Sequence, residues 1–261
     1  MDFKEFKDLS KSFQTVPVYK RVMADLLTPI SAYMRLAKKS NYSFILESVE
    51  NGAQYGRYSF IGRDPQLIVR SKNRTTQLFD KGEWTDDSSE FLDYLRYIQK
   101  QYHAPKLSDL PHFTGGLVGF LGYESVIWIE DIPIYEEDNY QCPDALFMLF
   151  QELVAFDHLQ NQIILFSNVQ ITDGIDLEKA FNDAHLRIDK MGEDLHTDID
   201  YQAQPLAKYG QSKLNSVFTK KNFQEMVLKA KDHINSGDIF QLVLSQRFER
   251  QTSVDPLTIY R

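Results

Sequence analysis

Gln241, Ser245 and Arg247 alternate along the run DIFQLVLSQRFER, so a strand of period two sets them on one face with Ile239 and Val243. Phe240, Leu242, Leu244 and Phe248 fall on the other face. A face that mixes an amide, a hydroxyl and a guanidinium with aliphatic groups suits the lining of a polar cavity as well as a surface. A second pattern is FTGGLVGFLGY, with Gly115, Gly116, Gly119 and Gly122 in one apolar run. It matches neither GxGxxG nor GxxxxGK[ST], and no basic residue follows in register, so close backbone approach inside a strand is expected rather than a phosphate cradle. The six histidines form no HExxH and no pair at ligand spacing, and no GxSxG nucleophile elbow occurs. Cys142, the single cysteine, precedes Pro143 and reads as structural. The acidic cluster Glu136, Glu137 and Asp138 reads as a solvated loop, with a cation site as the alternative.

The elements that must position these residues are partly visible. Thr28 and Pro29 open a helix in which Ile30, Tyr33, Met34 and Ala37 recur at helical spacing. Two strand-like runs, SFILES and RYSFIG, flank a turn at Asn51-Gly52. Further strands are expected at 67–69 and 76–79, and a helix with Phe91, Leu95 and Ile98 on one stripe. The runs ALFMLFQELVAF and QIILFSNV flank the polar DHLQN and predict an antiparallel hairpin, followed by the helical LEKAFNDAHLRIDKM. Residues 194–216 are polar and without a sustained period, so they read as a linker or exposed loop between a domain over 1–193 and a second region over 217–261. In that region Thr219 can cap a helix striped by Phe223, Met226, Val227, Ala230 and Ile234, with Gly237 placed to end it. One helix and one strand cannot bury both strand faces, so the second domain is expected to be truncated.

Composition excludes several classes. An apolar fraction of 43% with 18 Phe and 14 Tyr supports a folded core. The formal charge of −8, from 29 basic and 37 acidic residues, argues against non-specific nucleic-acid binding. One cysteine rules out an intramolecular disulfide framework and CxxC motifs. No secretory leader and no apolar run of about 20 residues is visible, so a cytoplasmic protein without membrane association is expected.

Residue chemistry alone ends there. The run GDIFQLVLSQRF, however, closely resembles the opening of the chorismate-binding domain in anthranilate synthase component I, the large subunit. ILESVE, GRYSFIGRDP and GGLVGFLGYES resemble that family's N-terminal domain, in the same order. The resemblance implies an α+β fold of large antiparallel sheets packed together, with helices outside. It implies an enzyme that converts chorismate and ammonia to anthranilate and pyruvate with Mg2+, whose ligands would lie beyond residue 261, so that this chain alone would be inactive. It also implies a glutamine amidotransferase subunit as partner and L-tryptophan as feedback inhibitor. The rivals are aminodeoxychorismate synthase component I and a non-catalytic tryptophan-binding module.

The resemblance assigns roles at two places. Leu46-Glu47-Ser48 resembles the family's tryptophan feedback motif: Glu47 would face the ligand ammonium, Ser48 would hydrogen-bond the ligand, and Arg57 is a weaker candidate for its carboxylate. Gln241 stands where water-adding relatives have a lysine that resembles a general base. Ammonia carries its own lone pair and needs no such base, so a neutral Gln241 suits an ammonia user.

Overall fold

A computed structural model describes residues 1–47, 56–80, 82–133, 141–199 and 213–261, and the chain falls into two compact units, Met1–Asp200 and Tyr201–Arg261. The first unit begins with helix α1 (Phe3–Leu9), where the Asp2 carboxylate accepts the Glu5 N–H, and strand β1 (Thr15–Met23). Helix α2 (Pro29–Leu36) starts as its sequence predicts. The Thr28 and Ser31 side chains accept each other's backbone N–H, and Pro29 takes a first-turn position that has no helical acceptor to lose. Strands β2 (Ser43–Glu47), β3 (Tyr58–Arg63), β4 (Leu67–Lys72), β5 (Thr75–Asp80) and β6 (Glu83–Asp87) follow, then helix α3 (Phe91–Gln101). Strands β7 (Gly116–Leu121), β8 (Ala145–Phe150), β9 (Glu152–Asp157) and β10 (Gln162–Gln170) precede helix α4 (Leu177–Asp194).

These strands make two antiparallel five-stranded sheets, ordered β1-β10-β9-β3-β2 and β6-β5-β4-β8-β7. One face of the first sheet carries Val16, Val18, Ile61, Val154, Ile163 and Leu165 against Phe6 of α1, Ala32 and Leu36 of α2, and Ala184, Ile188 and Met191 of α4. Its other face presents Phe44, Leu153, Ala155, Ile164 and Phe166 to Phe150, Met148 and Val118 of the second sheet. The far side of the second sheet packs Val69, Ala145 and Phe147 under Phe91 and Leu95 of α3 and under Trp128. The expected α+β architecture of packed antiparallel sheets with outer helices is therefore observed.

One expectation needs correction. The hairpin turning at DHLQN forms between β9 and β10, but ALFMLFQELVAF is not a single arm of it: it is two strands in different sheets, broken at Gln151. The cause is polar. Asn168 donates its backbone N–H to the Gln151 carbonyl at 2.9 Å, and its amide donates to the Gln151 and Thr114 carbonyls, both at 2.8 Å. Gly115 makes room: a Cβ there would overlap the Asn168 amide nitrogen. Gly119 likewise lets β7 lie against β8, since a Cβ would overlap the Leu146 carbonyl. The glycine run thus serves close approach, as its apolar context predicts.

In the second unit, helix α5 (Lys220–Asn235) is preceded by strand β11 (Asn215–Ser216) and followed by strand β12 (Phe248–Glu249) and helix α6 (Pro256–Tyr260). Thr219 caps α5 by accepting the Asn222 N–H, and Gly237 ends it at φ +81°, the left-handed geometry its position predicts. The long strand expected over 238–250 is a second correction. Among the described residues only Phe248–Glu249 finds a ladder partner, Asn215–Ser216, and Phe240 and Val243 are both largely exposed. A strand pattern becomes a strand only where a neighbour accepts its backbone groups.

The junction at Asn168 sets the first prediction. Asn168→Leu removes the amide donor shared by the half-buried Thr114 and Gln151 carbonyls and should lower stability by about 1–2 kcal/mol. The midpoint of urea unfolding followed by Trp fluorescence checks it, since Trp84 and Trp128 both lie in the first unit.

Candidate functional site

Glu47 is the last residue of β2 and lies opposite Ser59 of β3. The pleat turns both toward the helix-covered face, which Ile45 and Ile61 share. Ser59 is buried, and its hydroxyl lies 2.7 Å from His158 Nε2, with the hydrogen on either atom according to the His tautomer. The His158 N–H donates to the Arg57 carbonyl at 2.9 Å, which ties the start of β3 to the end of β9. Ser48, the Asn51-Gly52 turn and Glu136–Asp138 lie outside the described residues.

Arg57 turns its guanidinium onto Asp157. Its Nε donates at 3.1 and 3.2 Å and its Nη2 at 2.6 Å, the two-point geometry that suits a carboxylate. Asp157 has a side chain only 1% exposed and also accepts the Leu159 and Gln160 N–H groups of the β9–β10 turn, both at 3.1 Å. Burial pushes its carboxyl up, but the guanidinium and the two turn amides pull harder and hold it below the ordinary carboxylate range. The hydrogen bond to Asp157 holds the Arg57 guanidinium above its ordinary range, and its carbon sits 4.8 Å from the centre of the Tyr58 ring.

Arg57 and Tyr58 line a cleft of about 710 Å³, closed on another side by residues 105–112 and by Arg21 of β1. Arg21 donates from Nη2 to the Asp109 carbonyl at 2.7 Å and to its carboxylate at 2.9 Å. Glu47 does not line this cleft, so Arg57 and Glu47 do not meet there. Sequence reasoning missed Arg21, Asp109, Asp157, Ser59 and His158. Only Asp157 left a signal, as the first residue of the polar turn between two apolar runs. Gln241 lies exposed in the irregular segment between α5 and β12. Among the described residues no group of three or more His, Cys, Asp or Glu is placed to hold a metal ion, so the magnesium implied by the resemblance finds no ligand set among them. No helix among them is long and apolar enough to cross a membrane.

The chain is similar to known proteins. The chain matches the family described as chorismate binding enzyme over residues 29–261. It is 34% identical over 270 residues to anthranilate synthase component 1 of Synechocystis sp., covering 99% of this chain and 53% of that protein. The same-named protein of Acetivibrio thermocellus is 35% identical over 263 residues, covering 98% of this chain and 53% of its own length. The solved anthranilate synthase component I of Streptococcus pneumoniae superposes with a TM-score of 0.65 at 27% identity, covering 92% of this chain and 51% of that one. The chain thus spans about half the length of the relatives it matches.

The Asp157 carboxyl makes stability depend on pH. Its folded pKa is depressed, so its contribution is present above the unfolded value of about 3.9 and is lost as pH falls through the folded value. Asp157→Asn should therefore lower the thermal midpoint at about pH 7, and the gap from the parent should narrow steadily below about pH 4. A constant gap from neutral to acid pH would remove the carboxylate from the account.

Proposed function

Because the chain belongs to the chorismate-binding enzyme family, we propose that it is the N-terminal, feedback-regulated half of an anthranilate synthase component I. The observation that carries this reading is the reach of the likeness. At 34% identity it runs across both compact units and takes in 99% of the chain, including the run GDIFQLVLSQRF.

The reaction proposed for the whole protein adds ammonia to the chorismate ring, expels the ring hydroxyl as water and eliminates pyruvate, leaving aromatic anthranilate. A glutamine amidotransferase subunit would supply the ammonia, and Mg2+ would assist by holding a chorismate carboxylate. Gln241 contributes by what it lacks. A neutral amide offers no base to activate water, so ammonia, with its own lone pair, is the favoured nucleophile.

Tryptophan is the proposed feedback ligand. Glu47, fixed at the end of β2 opposite Ser59, would take its ammonium, and Ser48 would hydrogen-bond it. Arg57 is the weaker partner for its carboxylate. Asp157 occupies its Nε and Nη2, and among the described residues Nη1 makes no hydrogen bond and remains for a ligand.

The test is a chimera in which this chain replaces the matching half of the Synechocystis relative. With chorismate, Mg2+ and ammonia it should form fluorescent anthranilate. A folded chimera that instead releases an aminated product still carrying its enolpyruvyl side chain would assign the chain to the aminodeoxychorismate branch. In the active chimera, Gln241→Lys should depress anthranilate formation and yield some hydroxylated product on chromatography. Unchanged output with no such product would make Gln241 structural.

Ser48→Ala tests the ligand. A hydroxyl bonded to a charged ligand group contributes about 1.5–3 kcal/mol, so half-inhibition should move to about ten- to a hundred-fold higher tryptophan. Turnover without tryptophan should stay near that of the parent chimera. An unmoved inhibition curve would remove Ser48 from the site.

A further inference from the structure

The cleft beside Arg57 has no part in the reaction or the feedback contacts proposed above, apart from the single guanidinium they share. Its volume of about 710 Å³ lies within the usual range for small-molecule sites. Three cations line it, Arg21, Arg57 and Lys106, against one carboxylate, Asp109, with Asp157 buried behind Arg57. Positive charge remains in excess. The two arginines are also fixed in advance. Arg21 is held by Asp109 and lies 5.1 Å from the centre of the Tyr19 ring, as Arg57 is held by Asp157 over Tyr58. Arg21 holds Asp109 through Nη2, so its Nε and Nη1 are not spent on that carboxylate. Leu107 and the Tyr58 ring supply the apolar part of a mainly polar lining, while Pro105, Leu110 and Pro111 are buried and back it on a stretch stiffened by its prolines.

We propose that this cleft binds a small carboxylate with an apolar body and no ammonium group, at a site separate from the amino-acid site. An immobilised guanidinium fork recognises a carboxylate with little further loss of side-chain freedom. The apolar part of the lining suits a ring or short hydrocarbon chain. The excess of cations disfavours a zwitterion, whose ammonium would meet Arg21 and Lys106.

The matched probes are 3-phenylpropanoate and L-phenylalanine, which differ by the ammonium, with inorganic phosphate as an anion lacking an apolar body. Amide chemical shifts of the 261-residue chain report binding residue by residue. The propanoate should shift Arg21, Tyr58 and residues 106–112 saturably, and phenylalanine and phosphate should bind at least about ten-fold more weakly. Arg21→Gln should weaken propanoate about ten-fold, and Lys106→Gln, at an exposed position that leaves the fold intact, by a smaller factor. Equal binding of phenylalanine would overturn the exclusion of ammonium. Equal binding of phosphate would overturn the apolar body. The absence of saturable shifts, or affinity unchanged in both variants, would overturn the site. L-tryptophan shifting the same amides as strongly would merge it with the feedback site, and none of these results bears on whether the chimera makes anthranilate.

Discussion

The first unit depends on one buried amide. Asn168 ties the Gln151 carbonyl to β10 and the Thr114 carbonyl to the approach to β7, at the point where an apolar run passes from one sheet to the other. The break falls where Gln151 and Glu152 interrupt the apolar run, and the Asn168 amide is bound there. Across it, Phe150 and Leu153 enter the core between the sheets from different sheets, and both are almost wholly buried. A polar group in such a place specifies the register more than it adds stability, because the alternative arrangements leave its donors unsatisfied.

The cleft follows from the same geometry. Once β9 starts at Glu152 and pairs with β10, the strand ends at Asp157, whose carboxylate closes the turn onto Leu159 and Gln160 and receives Arg57. β1 pairs along the whole of β10, which brings Arg21 alongside, and Asp109 fixes it from the opposite wall. Asp109 is held below the ordinary carboxylate range by the hydrogen bond from Arg21, so this pair too stays ionised near neutrality. Two fixed arginines at one rim are a consequence of sheet register.

Local signals were legible in the sequence and remote ones were not. The caps of α2 and α5 lie within three residues of their partners, so Thr28-Pro29 and Thr219 could be read directly. The apolar period of α3 and the polar turn between β9 and β10 were equally local. β1 escaped because Pro17 and the exposed Lys20 and Arg21 break its alternation, and a proline is tolerated there because β1 is the edge of its sheet. β6 escaped because Glu83–Asp87 is nearly all polar. The site charges were invisible for a different reason. Arg57 and Asp157 are 100 positions apart, and Arg21 and Asp109 are 88, so nothing in either neighbourhood announces the other. Over 239–247 the period was plain but the ladder was not, since a pattern records what a strand prefers and not whether a neighbour exists. Residue chemistry alone placed no ligand; the functional reading rests on the ordered motifs and on the relatives that share them.

A guanidinium that already holds a carboxylate meets a ligand differently from a free one. Asp157 is buried and bound by two turn amides, so it cannot move aside for a second anion. Arg57 therefore has Nη1 to offer and cannot give a ligand the two-point grip it gives Asp157. If tryptophan is held near β2, its carboxylate gains one fixed donor from Arg57 at most. Discrimination in favour of an α-amino acid then rests on the ammonium at Glu47 and the hydroxyl of Ser48. Arg21 spends only Nη2 on its carboxylate, so Nε and Nη1 are not committed to Asp109. That difference in spent donors separates the two proposed sites: the arginine nearer the feedback motif can assist, and the arginine across the cleft can recognise a carboxylate by itself.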